Sequence, residues 1–229
     1  MSPNDAYYCR VCGRYVLAAD PAVLVSEFDA EILGDIPKPN YNVAPTTKVP
    51  IVVARQGARF IENVRWGIVP AWSSSKPMLL VNARGESVAE KSTFKKSFAV
   101  SRCIIPASGY YEWMRPAKDP FFITDPQKPV LAMGGILAPS SIDGHTVPTC
   151  AIITMSAAQN IAHVHDRMPA MIPKEMWSEW LDPDIGSADA LSILDSVMAS
   201  APNGLVARPV SKRVNSVRNN GVELLDSVS

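Results

Sequence analysis

No stretch of this sequence is apolar for long enough to cross a bilayer. The longest strongly apolar run, 130–137, is far short of the ~20 residues that a membrane helix needs. The first thirty residues are broken by Asp5, Arg10, Arg14, Asp20 and Glu27, so no secretory signal is read there and a cytoplasmic, non-membrane protein is expected. An excess of charge of one sign is missing too. Lys plus Arg and Asp plus Glu both total 22, so no global basic field draws the chain onto nucleic acid, and any such contact must be made by a local patch. Cysteine is scarce. Cys9, Cys12, Cys103 and Cys150 are too few and too unevenly spaced for a disulfide scaffold. Internal repeats, low-complexity linkers and charge blocks are also lacking, which argues for one domain and, with no coiled coil, for a monomer.

What is present is material for a real core. Hydrophobic residues make up 47% of the chain and charged ones 19%, which excludes global disorder. The 20 prolines in 229 residues exceed the usual ~5% and favour short elements joined by many turns. Residues 1–11 read as a tail without apolar periodicity. A strand follows Cys12, and then a helix with Asp20 as N-cap and Pro21 at its first position. The segment 34–50, with four prolines, reads as an irregular loop. Runs 49–55 and 59–69 read as strands turning at Gly57. Further strands are expected at 103–113, 121–124, 130–137, 149–154 and 205–210. Helices are expected at 86–98, 173–181 and 188–199. A polar, partly mobile tail follows Asn215. Strands dominate without a βαβ rhythm, which predicts an α+β fold with a mixed or antiparallel sheet.

Four segments carry candidate chemistry. Cys9 and Cys12 form a CxxC, but a zinc site needs a second pair of ligands and His145, His163 and His165 supply no obvious one. A redox CxxC belongs at a helix start, whereas this one sits in a tail. The run His163-Val-His165-Asp166-Arg167-Met168-Pro169 reads either as a loop presenting charged groups or as a plain surface turn. In Gly109-Tyr110-Tyr111-Glu112-Trp113 a lone carboxylate stands among aromatics at a strand end. Partial desolvation would raise its pKa toward neutrality and suit it to proton transfer; a solvent-facing edge residue is the plainer alternative. In Val81-Asn82-Ala83-Arg84-Gly85-Glu86 an amide and a guanidinium can orient and clamp a substrate, or they belong to a capping turn with an ion pair.

Taken together, CGRY from Cys12, YNVAPT from Tyr41, RWGIVPAW from Arg65, VNARGES from Val81, RCIIPASGYYEW from Arg102 and HDRMP from His165 strongly resemble the SRAP family, the SOS-response-associated peptidase-like proteins that process abasic sites. The resemblance spans Cys12 to about Asn215. It implies a single SRAP-type domain over 12–215 with a barrel-like core, short flanking helices and a tail over 216–229. It also implies a partner, single-stranded DNA carrying abasic sites, with the bacterial nucleoid as the place of action. The family's nucleophile is an N-terminal Cys exposed by removal of the initiator Met, which places Cys12 in that role. Asn82, Glu112 and His165 match the other active-site positions. Arg84 and Arg167 fall in motifs near the DNA backbone, and Trp66 and Trp113 fall in blocks lining the site; Arg14 is expected to join the two arginines in holding flanking phosphates. No metal or cofactor is implied.

The chemistry of the residues agrees with that implication. An abasic deoxyribose opens to an aldehyde at C1′. A free N-terminal Cys condenses with it to an imine through the amine, and its thiol then closes a thiazolidine. An α-amine with a pKa of about 8 is roughly one-tenth neutral at pH 7, far more than a lysine. On this reading Glu112 shuttles protons, His165 protonates the sugar ring oxygen and assists reversal, and Asn82 orients the sugar or the amine. The chain departs from the family in one place: eleven residues precede Cys12, and residue 11 is Val. One expectation is initiation at a GTG codon for Val11, giving Met-Cys-Gly-Arg. The other is cleavage before Cys12, perhaps by the protein's own peptidase activity. Lyase activity stays open. Two rivals remain: a thiol hydrolase built from Cys12, His165 and Glu112, and a non-catalytic single-strand binder stacking bases on Trp66, Trp72 and Trp113.

Overall fold

The computed structural model describes residues 12–35, 38–73, 78–200 and 202–228. Its architecture follows from one apolar hairpin. Strands β1 (Tyr15–Leu17), β2 (Ala30–Ile32), β3 (Asn40–Val43), β4 (Lys48–Arg55) and β5 (Ala58–Trp66) occupy the first third of the chain, with helix α1 (Pro21–Phe28) between β1 and β2. Five consecutive residues of β4, Val49 to Val53, are buried, so this strand is covered on both faces. It turns into β5 through Gln56 and Gly57, both at positive φ, as a two-residue hairpin of primed type requires.

The remaining strands are β6 (Asn82–Arg84), β7 (Arg102–Ala107), β8 (Gly109–Met114), β9 (Asp119–Thr124), β10 (Leu131–Ile142), β11 (His145–Ser156), β12 (Arg167–Pro169) and β13 (Val206–Pro209). Strands β4, β7, β10 and β11 join in antiparallel pairs, and β11 returns to β5 in parallel register at Thr149↔Arg65 and Cys150↔Trp66. With the β4–β5 hairpin this closes a five-stranded barrel and removes the edges an open sheet would expose. A second, fully antiparallel sheet, β13-β9-β8-β1-β3, lies against it. Its Tyr15, Tyr110 and Ile123 join the barrel's core, while Val16, Tyr111 and Phe122 alternate to a smaller outer core with Val210 and Val214. Helices α2 (Ser92–Val100), α3 (Trp177–Leu181) and α4 (Ser187–Ser200) flank the barrel. The molecule is therefore a single α+β domain with a barrel-like mixed sheet.

Several boundaries differ from expectation, each for a tertiary reason. The run 103–113 is two strands, because the chain changes sheet at Ser108. There the hydroxyl accepts the N–H of Ala18 and the carbonyl accepts the hydroxyl of Thr124. The proline-rich loop contains β3, which exists through its pairing with β1. The helix expected over 86–98 is a 3-10 turn, Gly85–Ser87, followed by α2. The β10–β11 hairpin extends past the barrel to an Asp143-Gly144 turn at positive φ. The tail after Asn215 is not loose. Leu224 is buried, and the side-chain amide of Asn42 donates to the carbonyls of Val214, Ser216 and Asn219.

The hydroxyl of Tyr15 is buried in the core with no protein hydrogen-bond partner among the described residues. Desolvating such a group costs about 1–3 kcal/mol. Tyr15→Phe is therefore expected to raise the urea unfolding midpoint. A lowered midpoint would show that the hydroxyl is satisfied in solution.

Candidate active site

The centre of the site is a contact between Cys12 and Glu112, one hundred residues apart. Cys12 leads into β1 with φ at +45°, in the left-handed region, and is buried. Its main-chain nitrogen donates to Oε1 of Glu112 at 2.5 Å, and its side chain helps to hold the pKa of that carboxyl down. Glu112 lies on β8, the strand paired with β1. It shares a face with Tyr110 two residues earlier, as the twofold strand period requires, and that face turns into the space between sheet and barrel. Burial pushes its carboxyl up to about 7. The bonds from Cys12 and from the N–H of Trp113 oppose this, and the nearby charge of Asp166 adds to it. A group half-protonated near pH 7 can both accept and return a proton.

Strand β11 carries the rest of the site at the end where it leaves the barrel. One of its edges holds β6 in parallel register, Ile152↔Asn82 to Thr154↔Arg84. The other holds β12 in antiparallel register, Thr154↔Pro169 to Ser156↔Arg167. The fold thus brings the VNARGE and HDRMP motifs to the two sides of one strand, and the charge of Asp166 reaches Glu112. Asn82 is buried and Arg84 exposed.

The ring of His165 is largely buried, and its Nδ1 accepts the N–H of Arg167 at 3.0 Å. Nδ1 also lies 3.0 Å from a carboxylate oxygen of Asp166. The two contacts demand opposite protonation states of Nδ1. The backbone bond prevails, because Asp166 is highly exposed and water screens such a pair. Burial holds the His165 pKa below its ordinary value. The ring is therefore neutral near pH 7, with its proton on Nε2.

Not every expected residue faces a substrate. Trp66 does not line the site. It is fully buried, donates from Nε1 to the carbonyl of Val81 at 3.0 Å, and packs edge-on against Tyr15; it supports the segment that carries Asn82. Arg14 ties β1 to Asn42 and to the carbonyl of Val214. Arg167 is held by Glu86 through both terminal nitrogens, and one of these also bonds the carbonyl of Thr154. Trp113 is half-buried and donates to Asn215 at 2.8 Å. Trp72 is exposed, on a 3-10 turn, with its indole N–H on Thr93. His163 lies edge-on to Phe121. Cys103 and Cys150 are buried, and burial pushes both thiols up. Cys9, and with it the CxxC, lies outside the described residues.

Sequence reasoning passed over three residues that shape the site. Glu86 stood inside a quoted motif, but its partner is 81 residues away. Asn42, in YNVAPT, has nothing in its local pattern to reveal its long-range bonds. Tyr110 is one aromatic among several in its motif, and nothing local sets it apart. Its hydroxyl is buried near Cys12 and Glu112, whose charges add to the burial that pushes its pKa up.

Residues 11–217 match the family model described as SOS response associated peptidase (SRAP). The chain is 32% identical over 227 residues to "Abasic site processing protein YoaM" of Bacillus subtilis (strain 168), covering 95% of this chain and 98% of that protein. It is 32% identical over 226 residues to "Abasic site processing protein YedK" of Escherichia coli (strain K12), covering 95% and 100%. A crystal structure of a protein from Bacteroides thetaiotaomicron superposes with a TM-score of 0.78 at 20% identity, over 95% of this chain and 100% of that one, a likeness of fold. No helix among the described residues is long and apolar enough to cross a membrane.

Proposed function

Because the chain belongs to the SOS response associated peptidase (SRAP) family, we propose that it processes abasic sites in single-stranded DNA by covalent capture at Cys12. One observation carries the reading: the main-chain nitrogen of Cys12 donates at 2.5 Å to the buried carboxyl of Glu112, which burial pushes up to about 7. With residues 1–11 absent, that nitrogen is an α-amine, placed where a base can take its proton. Initiation at codon 11 or cleavage before Cys12 would each supply it. The names of the relatives agree with the lesion.

The steps balance with one proton carrier. Ring opening needs no net proton: the anomeric hydroxyl gives one to water and the ring oxygen takes one from water as its bond to C1′ breaks, while Nε2–H of His165 donates a hydrogen bond to that oxygen and favours the open aldehyde. The Glu112 carboxylate takes a proton from the Cys12 amine as nitrogen bonds to C1′. Glu112 returns that proton to the aldehyde oxygen, which gives the carbinolamine, then carries the second amine proton to its hydroxyl, which leaves as water, and an imine results. The thiol then gives its proton to Glu112 as sulfur bonds to C1′. The π electrons move to nitrogen, which takes the proton back. Aldehyde, amine and thiol become a thiazolidine and one water, with no cofactor consumed.

Asn82 orients the sugar, the exposed Arg84 meets a flanking phosphate, and Trp113 borders the lesion. Arg14 and Arg167 brace the framework, and any phosphate contact they make uses guanidinium edges left over from those bonds. The protein acts as a monomer in the cytoplasm, at the nucleoid when DNA is damaged.

The thiol-hydrolase rival needs the Cys12 thiol on His165, whereas Nδ1 of His165 is taken by Arg167 and the acid bonded to Cys12 is Glu112. Abasic single-stranded DNA is therefore expected to react where peptides and esters do not; hydrolysis of peptides or esters that requires Cys12 would reverse that order. Arg84→Ala is expected to weaken binding of single-stranded DNA and to lower the slope of log K against log salt by about 0.7. An unchanged slope would remove Arg84 from the phosphate contacts.

A further inference from the structure

The Arg167 guanidinium is the most firmly held charge around the site. One terminal nitrogen meets Oε1 of Glu86. The other donates to Oε2 of Glu86 at 2.8 Å and to the carbonyl of Thr154 at 2.7 Å. Three elements are tied at this point: the 3-10 turn after β6, which carries Glu86, and strands β11 and β12. A fork-to-fork pair anchored on a backbone carbonyl has the geometry that fixes position as well as charge. The N–H of the same Arg167 is the donor to Nδ1 of His165.

We propose that Glu86 is a positioning residue for His165: by gripping the Arg167 guanidinium it fixes the Arg167 N–H, and that N–H keeps the ring in the tautomer with its proton on Nε2. A free imidazole exchanges between two tautomers, and only one presents Nε2–H to a substrate once Nδ1 is turned to the backbone. The charged groups facing His165 are Asp166, Arg115 and Arg167. Glu86 is not among them, so its effect runs through Arg167 rather than through direct attraction. The consequence for DNA chemistry rests on the function proposed above; the tautomer does not.

The test uses the full chain with 15N-labelled histidine, the His165 ring signals being assigned with a His165→Gln variant. The parent is expected to show the Nε2–H pattern. Glu86→Gln, which keeps the size and drops the charge, is expected to show tautomer-averaged signals, and Glu86→Asp to keep most of the parent pattern. In a chain beginning at Cys12, Glu86→Gln is expected to slow crosslinking by up to about a hundredfold, the order expected for a misplaced catalytic group, with affinity for intact single-stranded DNA not reduced. A parent-like His165 pattern in Glu86→Gln overturns the proposal whatever the DNA assay gives. Failure of the unmodified short chain to crosslink overturns the functional reading instead, and the ring signals still decide this one.

Discussion

In a chain that begins at Cys12, replacing that residue by Ser abolishes the denaturant-resistant complex with abasic single-stranded DNA, a loss expected to exceed about a thousandfold in yield at fixed time. Serine keeps the α-amine, so the imine still forms at C1′. What is lost is the sulfur that adds to the imine and closes the ring. The Ser variant should therefore give a stable band only when borohydride reduces the imine, whereas the Cys form gives one without it. The separation is clean because the nitrogen of Cys12 is held on Glu112, and the substitution changes the sulfur without moving the strand pairing that sets the nitrogen. A Ser variant that gives a stable band without reductant would place the covalent bond elsewhere.

The second large effect belongs to Glu112. Glu112→Gln keeps an acceptor for the Cys12 nitrogen and removes the proton carrier, so crosslinking is expected to slow by about a hundredfold or more, with binding of intact single-stranded DNA retained. The pH profile should change shape as well. In the parent, steps needing the carboxylate are lost below the pKa of about 7, and steps needing the protonated acid are lost above it, which gives a maximum near neutrality. In the Gln variant the maximum disappears, and the rate rises with pH as the amine titrates near ~8.

Stability carries the same signature. The carboxyl is raised in the folded state, from 4.5 to about 7. The folded chain therefore keeps this proton over a pH range in which the unfolded chain has released it. Stability from this group is complete below about 4.5 and falls as pH rises toward 7, by about 3 kcal/mol in all. Urea midpoints at pH 5 and pH 8 should therefore lie closer together in Glu112→Gln than in the parent. An equal gap in both proteins would mean that Glu112 titrates normally.

The site was legible where chemistry is local and opaque where it is not. A lone carboxylate among aromatics at the end of an apolar strand reads as desolvated, and Glu112 is buried with its pKa near neutrality. The motifs named Asn82 and His165 but not the strand that brings them together. β11 was read at half its length because residues 138–148 lack apolar alternation, although Asp143-Gly144 marks the turn. Trp66 misled for a physical reason. In a strand closed into a barrel both faces are covered, so an aromatic there carries no sign of which way it serves. The tail read as loose because its few apolar residues show no period, yet Leu224 is buried and Asn42 gathers its carbonyls. Glu86 and Arg167 were both visible as charges, but a pairing across 81 residues is a property of the fold and not of any window of sequence.

The most direct test of the account is a denaturing gel. The chain expressed from codon 11 as Met-Cys, and the full 229-residue chain, are each mixed with single-stranded DNA carrying one abasic site, without reductant. A heat- and denaturant-resistant shifted band for the short form, absent from any full-length chain whose mass confirms that residues 1–11 are retained, is the predicted result. No band from the short form, or an equal band from a chain that still carries residues before Cys12, would contradict it.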